Sequence, residues 1–197
     1  MEGTWTWTEG SGMKVCFVTT GATAPFTGLI ESVLQPSSID SLHTSGYTHL
    51  LVQYGTAKDI FDRQVIAART RKSSLTIGGF DFDRDGLKNQ FKLVQQSKGL
   101  AISHAGSGSI LEALRYQVPL IVVPNTLLLD NHQEELAVAM ERSGYLLQGN
   151  VKDLAPAIIR SENFKIKMTQ FPPITSGKHR ETKTMDNIMD ETMGFLD

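Results

Sequence analysis

The sequence predicts an α/β fold: a parallel sheet with helices on both faces, followed by a helical tail. Short apolar runs alternate with longer amphipathic stretches over residues 13–150, and parallel strands need crossover helices of that length. Pro119–Val123 is apolar without alternation, as expected of a strand buried on both faces.

Each element has its own signal. Met13–Thr19 is rich in β-formers and ends in Thr20-Gly21-Ala22-Thr23-Ala24-Pro25, a turn. Phe26–Leu34 reads as a helix with Leu29, Ile30 and Val33 on one face. Pro36–Gly46 reads as a loop. Thr48–Tyr54 is a second strand stopped by Gly55, and Asp59–Arg69 is a helix with Ile60, Phe61, Val65 and Ile66 inward. Ser74–Phe80 is a third strand. Asp85–Ser97 is a helix aligned on Leu87, Phe91 and Val94, and Leu100–Ser103 is a short fourth strand. Ser109–Tyr116 is helical, Pro119–Val123 is the fifth strand, and Asn131–Arg142 is a helix with Gly144 placed as a C-terminal cap. Tyr145–Gln148 reads as a sixth strand and Leu154–Arg160 as a short helix.

Three regions follow from this. Residues 1–12 read as a flexible leader, 13–150 as the sheet domain, and 151–197 as linker and helical tail. Met185, Ile188, Met189, Thr192, Phe195 and Leu196 recur at helical spacing in that tail, which suits either packing back on the domain or contact with a partner.

Composition narrows the function classes. The chain has 197 residues, 40% hydrophobic, with a formal net charge of −2, which argues against wrapping a nucleic acid. Arg69, Arg71, Lys72 and Lys178, His179, Arg180 read as solvated basic loops. Cys16 is the one cysteine; it cannot form an internal disulfide and reads as buried strand filler in a reducing compartment. No stretch has the length of a membrane-spanning helix, so membrane association is expected only through a partner.

The chemistry concentrates in His104-Ala105-Gly106-Ser107-Gly108-Ser109-Ile110-Leu111-Glu112, which follows a strand and opens a helix. Glycines there admit close approach of a ligand to the backbone. The amides and dipole at the helix start favour an anion, and Ser107 and Ser109 add hydroxyls, which suits a diphosphate. Ser109 and Glu112 also have the spacing of a capping box, which would occupy both side chains locally. A second cluster, Asn125 and then Asp130-Asn131-His132-Gln133, offers the donors and acceptors that reading a sugar requires; Asn131 with Glu134 also fits a box. A third, Thr19-Thr20-Gly21-Ala22-Thr23, ends the first strand and either lines the diphosphate or is an ordinary turn. Ligands in such folds bind at the carboxyl ends of the strands, which gathers these loops.

Together these motifs resemble the donor half of GT-B glycosyltransferases, and most closely the soluble UDP-N-acetylglucosamine transferase subunits of asparagine-linked glycosylation. The resemblance is carried by Phe17–Phe26, Gly79–Phe82 and Ile102–Ile110, then Glu112, Pro119, Pro124 and Asp130–Ala137, over about residues 13–150. It implies a single Rossmann-like donor domain in which Glu112 binds the uridine ribose and Ser107, Gly108 and Ser109 hold the diphosphate. It also implies Phe80 and the Asp81 backbone facing uracil, Asp130, Asn131, His132 and Gln133 around the N-acetylglucosamine, and His104 beside the diphosphate as the one local catalytic candidate.

The implied reaction is inverting transfer onto N-acetylglucosaminyl-diphosphodolichol at the cytosolic face of the endoplasmic reticulum. The acceptor side would lie on a membrane-anchored partner subunit, because this chain has room for one such domain only. No acidic cluster suits a metal, and a metal-free mechanism without cofactor is expected.

Three other readings stay open. Gly106-Ser107-Gly108 begins a dinucleotide fingerprint, but Leu111 stands at the third glycine and the motif follows the fourth strand. Ser107, His104 and Asp130 could serve a serine hydrolase, but Ala105 and Ser109 replace the glycines of a nucleophile elbow. A non-catalytic interaction module on the same fold is the third.

Overall fold

The computed structural model describes residues 6, 8–22, 25–69, 75–125 and 132–168, with His132 and Gln133 described as to backbone only. The strands are β1 (Val15–Thr19), β2 (His49–Gln53), β3 (Thr76–Phe80), β4 (Leu100–Ser103), β5 (Leu120–Val122) and β6 (Leu147–Gln148). All pair in parallel, in the order β3-β2-β1-β4-β5-β6. This is the doubly wound, Rossmann-like order predicted from the strand–helix alternation.

Both faces of the sheet are dry, because alternate residues of each strand point to opposite sides. On β1, Cys16 and Val18 join a core with Leu29, Ile30 and Val33 of α1 (Thr27–Val33), Ile39 and Leu42 of α2 (Pro36–Thr44), and Phe61 and Val65 of α3 (Lys58–Arg69). Val15 and Phe17 join the opposite core, with Phe91 and Val94 of α4 (Lys88–Gln96), Ile110 and Ala113 of α5 (Ser107–Arg115), and Leu136, Ala137 and Met140 of α6 (His132–Arg142). Phe17 meets Phe91 edge-on at 5.6 Å between ring centroids, a favoured aromatic geometry. Cys16 is fully buried, and burial pushes its thiol up to about 12, so it is the inert filler its context suggested.

Several elements differ from expectation. Helix α4 begins at Lys88, three residues after the expected Asp85, and Ile66 of α3, expected inward, is 66% exposed. The segment expected as a loop over Pro36–Gly46 is helix α2: Pro36 stands at its first turn, where its missing N–H costs nothing, and Ile39 and Leu42 turn inward. The fifth helix begins at Ser107, two residues before the expected Ser109. The sixth strand is two residues long, Leu147–Gln148.

The helix expected over Leu154–Arg160 continues as α7 (Ala155–Met168), burying Ala157, Ile158, Ser161 and Phe164. Glu162 of α7 ties it to the far end of the sheet. It accepts from Lys14 at 2.9 Å, Lys165 at 2.7 Å and the Tyr47 hydroxyl at 2.9 Å. No helix among the described residues is long and apolar enough to cross a membrane. The helical stripe over Met185–Leu196, the basic residues Arg71, Lys72, Lys178, His179 and Arg180, and residues 1–5 and 7 of the leader lie outside the described residues.

Candidate functional site

The strand order creates the crevice. β1 and β4 are neighbours, yet the chain leaves β1 for α1 on one face and β4 for α5 on the other. Their connections part at the carboxyl ends, and ligands bind at this kind of switch point.

Helix α5 opens into the crevice. Its N-cap is Gly106, and no side chain caps it. The first intrahelical bond is Ile110 N–H to the Gly106 carbonyl, 3.1 Å, so the amides of the first turn have no acceptor within the helix. The capping box that the spacing of Ser109 and Glu112 allowed does not form, because Ser109 lies inside the first turn. Gly108 faces open space, with nothing within 4 Å of where a Cβ would be. One turn on, Glu112 Oε1 accepts from Arg115 at 3.1 Å, while its Oε2 is buried without a partner among the described residues. Free amides, an open glycine and an orphaned carboxylate oxygen thus share the opening turns of one helix.

His104 stands between two glycines. A Cβ on Gly21 would lie 2.5 Å from its Cε1 and Nε2, and one on Gly106 would also strike the ring. Gly21 has a φ of 83°, open to glycine at little cost. Ala105 between them adopts φ 63°, a left-handed conformation unusual for a residue with a side chain, and strain of this kind collects at functional sites. Burial pushes the His104 imidazole below the usual histidine range, against a hydrogen bond with the Thr19 backbone, so the ring is neutral at neutral pH. Its Nδ1 is buried without a partner among the described residues.

The first loop divides its labour. The Thr19 hydroxyl donates to Gln53 Oε1 and accepts from Gly21 N–H at 3.3 Å. The Thr20 hydroxyl donates to the Gln53 carbonyl at 3.0 Å. Both threonines are buried, so their side chains shape the turn, and Gly21 is the part of the loop that flanks His104.

Phe80 ends β3 with its ring stacked on Phe17 at 6.3 Å. Asp81 is exposed, and its carboxylate accepts the Phe82 N–H at 2.7 Å. Asn125, after β5, is buried. Thr23, Asp130 and Asn131, and the side chains of His132 and Gln133, lie outside the described residues; the backbone of His132 and Gln133 opens α6.

Two residues near the crevice were given no role from sequence, Phe82 although it closes the Gly79–Phe82 motif. Gln53 is a buried amide that closes β2 after Leu50, Leu51 and Val52. Phe82 is 44% exposed and lies over Gly55, 3.3 Å from where a Cβ would stand, and the Gly21 carbonyl is 3.8 Å from the same point. The signals were present in the sequence: a lone polar residue closing Leu50-Leu51-Val52, and an aromatic beside a strand end.

Comparison with known proteins gives the family and the fold. The model of the glycosyltransferase family 28 C-terminal domain matches residues 15–188. The UDP-N-acetylglucosamine transferase subunit ALG13 of Eremothecium gossypii is 40% identical over 171 residues, covering 76% of this chain and 82% of that protein. The solution structure of ALG13 superimposes with a TM-score of 0.63 at 28% identity, covering 92% of this chain and 94% of that one. The crystal structure of Acinetobacter baumannii MurG superimposes with a TM-score of 0.54 at 16% identity. That likeness is one of fold, and the chain spans about half of it, 51%. With a family model spanning both the crevice and the sheet that builds it, this chain belongs to the glycosyltransferase family 28 C-terminal-domain family.

Proposed function

We propose that this chain is the UDP-N-acetylglucosamine-binding subunit of a two-chain N-acetylglucosaminyltransferase, active only with its partner. The partner is a membrane-anchored subunit that holds the acceptor, N-acetylglucosaminyl-diphosphodolichol, at the cytosolic face of the endoplasmic reticulum. The product carries the second N-acetylglucosamine of the lipid-linked oligosaccharide made for N-glycosylation. One observation carries the reading above the others: the uncapped start of α5, with Gly108 open to solvent at the switch point, is built for a diphosphate.

The residues divide the work. First-turn amides of α5 and the hydroxyls of Ser107 and Ser109 take the diphosphate. The orphaned Glu112 oxygen takes the ribose hydroxyls, and Phe80 with the Asp81 backbone faces uracil. Asn125 and Asp130–Gln133 surround the sugar. As the glycosidic bond breaks, negative charge grows on UDP, and donors already aimed at that place stabilise it without reorganising. Inverting transfer also needs a base at the acceptor hydroxyl. His104 is neutral and able to take a proton, but it sits deep beside the glycines, so the acceptor-side base belongs to the partner chain. Family membership and the ALG13 relatives support the reading.

Transfer of N-acetylglucosamine from labelled UDP-N-acetylglucosamine to a short-chain diphosphodolichol acceptor tests it. The purified chain alone is expected to be inactive, and addition of membranes carrying the partner is expected to restore product. Robust transfer by the chain alone would overturn the two-chain reading.

A further inference from the structure

Three adjacent strands of this sheet, β2, β1 and β4, end in a polar residue where they reach the crevice. β2 ends in Gln53, 4% exposed after Leu50-Leu51-Val52. Parallel register sets Gln53 beside Thr19, and Thr19 beside Ser103. Residues two apart share a face, so Gln53 follows Leu51, Thr19 follows Phe17 and Ser103 follows Ala101 on the side of α4 and α5. The last rung of three adjacent strands is therefore polar and buried. Burying an amide and two hydroxyls there costs more than burying apolar groups of the same size, and packing alone does not call for it.

The contacts of Gln53 show what the rung does. Its Oε1 accepts from the Thr19 hydroxyl, which in turn accepts the Gly21 N–H at 3.3 Å. Its backbone carbonyl accepts from the Thr20 hydroxyl at 3.0 Å and from the Thr20 N–H at 3.4 Å. Gly21 backs the His104 ring, whose Cε1 and Nε2 lie 2.5 Å from where a Cβ on Gly21 would stand. Side chain and main chain of one residue thus bond Thr19 and Thr20, and Thr19 in turn bonds Gly21.

We propose that Gln53 is a positioning residue for donor binding: it fixes the Thr19–Gly21 turn, and through that turn the place of the His104 ring at the mouth of α5. This rests on the diphosphate reading given above. Gln53 acts through its neighbours and makes no contact with the nucleotide. An aliphatic residue of similar size would fill the space and leave the turn without its anchor.

Three variants of the full chain test this: Gln53→Leu, Thr19→Val and Thr19→Ser. UDP affinity is measured by calorimetry, and the Gly21 amide and His104 ring resonances are followed by NMR without nucleotide. Gln53→Leu and Thr19→Val are expected to weaken UDP binding about five- to tenfold, the worth of a lost buried hydrogen bond, and to move both sets of resonances. Thr19→Ser keeps the hydroxyl and is expected to stay close to the wild type in both. Where Gln53→Leu does not fold, the Thr19 pair carries the test.

Folded Gln53→Leu and Thr19→Val proteins with unmoved His104 resonances would overturn the proposal, whether or not affinity falls. Moved resonances with unchanged UDP affinity would overturn it equally. If the wild-type chain binds no UDP, the nucleotide reading fails, and the proposal for donor binding falls with it; the resonances alone then report whether Gln53 orders the turn.

Discussion

Gly108→Ala separates what the helix wants from what a ligand wants. Gly108 is the second residue of α5, and an added Cβ meets nothing within 4 Å. Glycine is the poorer helix former by about 0.5–1 kcal/mol, so alanine is expected to raise stability by up to that amount. For a domain of this size that is roughly a 1–4 °C rise in Tm. Helical Cα–Cβ bonds tilt toward the N-terminus, so the new methyl projects into the mouth of α5. Bound phosphate oxygens would need to lie about 2.7–3.0 Å from the first-turn amides, and a methyl there displaces them. A loss of at least about tenfold in UDP affinity, ~1.4 kcal/mol, is expected, with a smaller loss for uridine, which has no phosphates. Thermal unfolding followed by circular dichroism and calorimetric titrations with UDP and with uridine give the numbers. A more stable variant that binds UDP as tightly as the wild type would refute the placement of the diphosphate on α5.

Other perturbations address other parts of the account. Glu112→Gln keeps the shape of the side chain and loses its charge; the pair with Arg115 is exposed on the arginine side and worth about 0–1 kcal/mol. Tm should therefore barely move while UDP affinity drops several-fold, and equal loss of both would reduce Glu112 to a structural residue. Gly21→Ala forces a left-handed φ and drives a methyl into the His104 ring; a destabilisation of about 1–3 kcal/mol in denaturant unfolding is expected.

Glu162→Gln should loosen α7 by about 1 kcal/mol near pH 7. Burial raises the Glu162 carboxyl pKa, but hydrogen bonds and charge from Lys165, with bonds from Lys14 and Tyr47, outweigh that and leave it below the usual range. A depressed carboxyl contributes stability above its unfolded pKa and loses it as pH falls through the folded one. The difference between wild type and variant should therefore shrink on acidification, and a difference that grows would contradict the assignment.

The fold was legible because parallel strands buried on both faces leave continuous apolar runs, as Leu120–Val122 does, and because Leu29, Phe61, Phe91 and Met140 sit on clear helical stripes. Helix α2 was hidden by Pro36-Ser37-Ser38, which reads as loop, although proline is also at home in a first helical turn. The start of α5 was misplaced because Ser109 and Glu112 imitate a cap. The actual cap is Gly106, whose lack of a side chain makes room for the His104 ring, a three-dimensional reason that spacing cannot carry.

His104, Ser107, Gly108 and Glu112 were readable as a local motif. Gln53 was not, because its meaning depends on Thr19, 34 positions away. Only the strand order brings the two side by side.

The most direct test is an amide-resolved NMR titration of the isolated chain with UDP. The account predicts saturable shifts led by the amides of Ser107, Gly108 and Ser109, with Gly21 and the His104 ring following. Shifts confined to other parts of the sheet, or none at concentrations where UDP saturates the reconstituted enzyme, would contradict it.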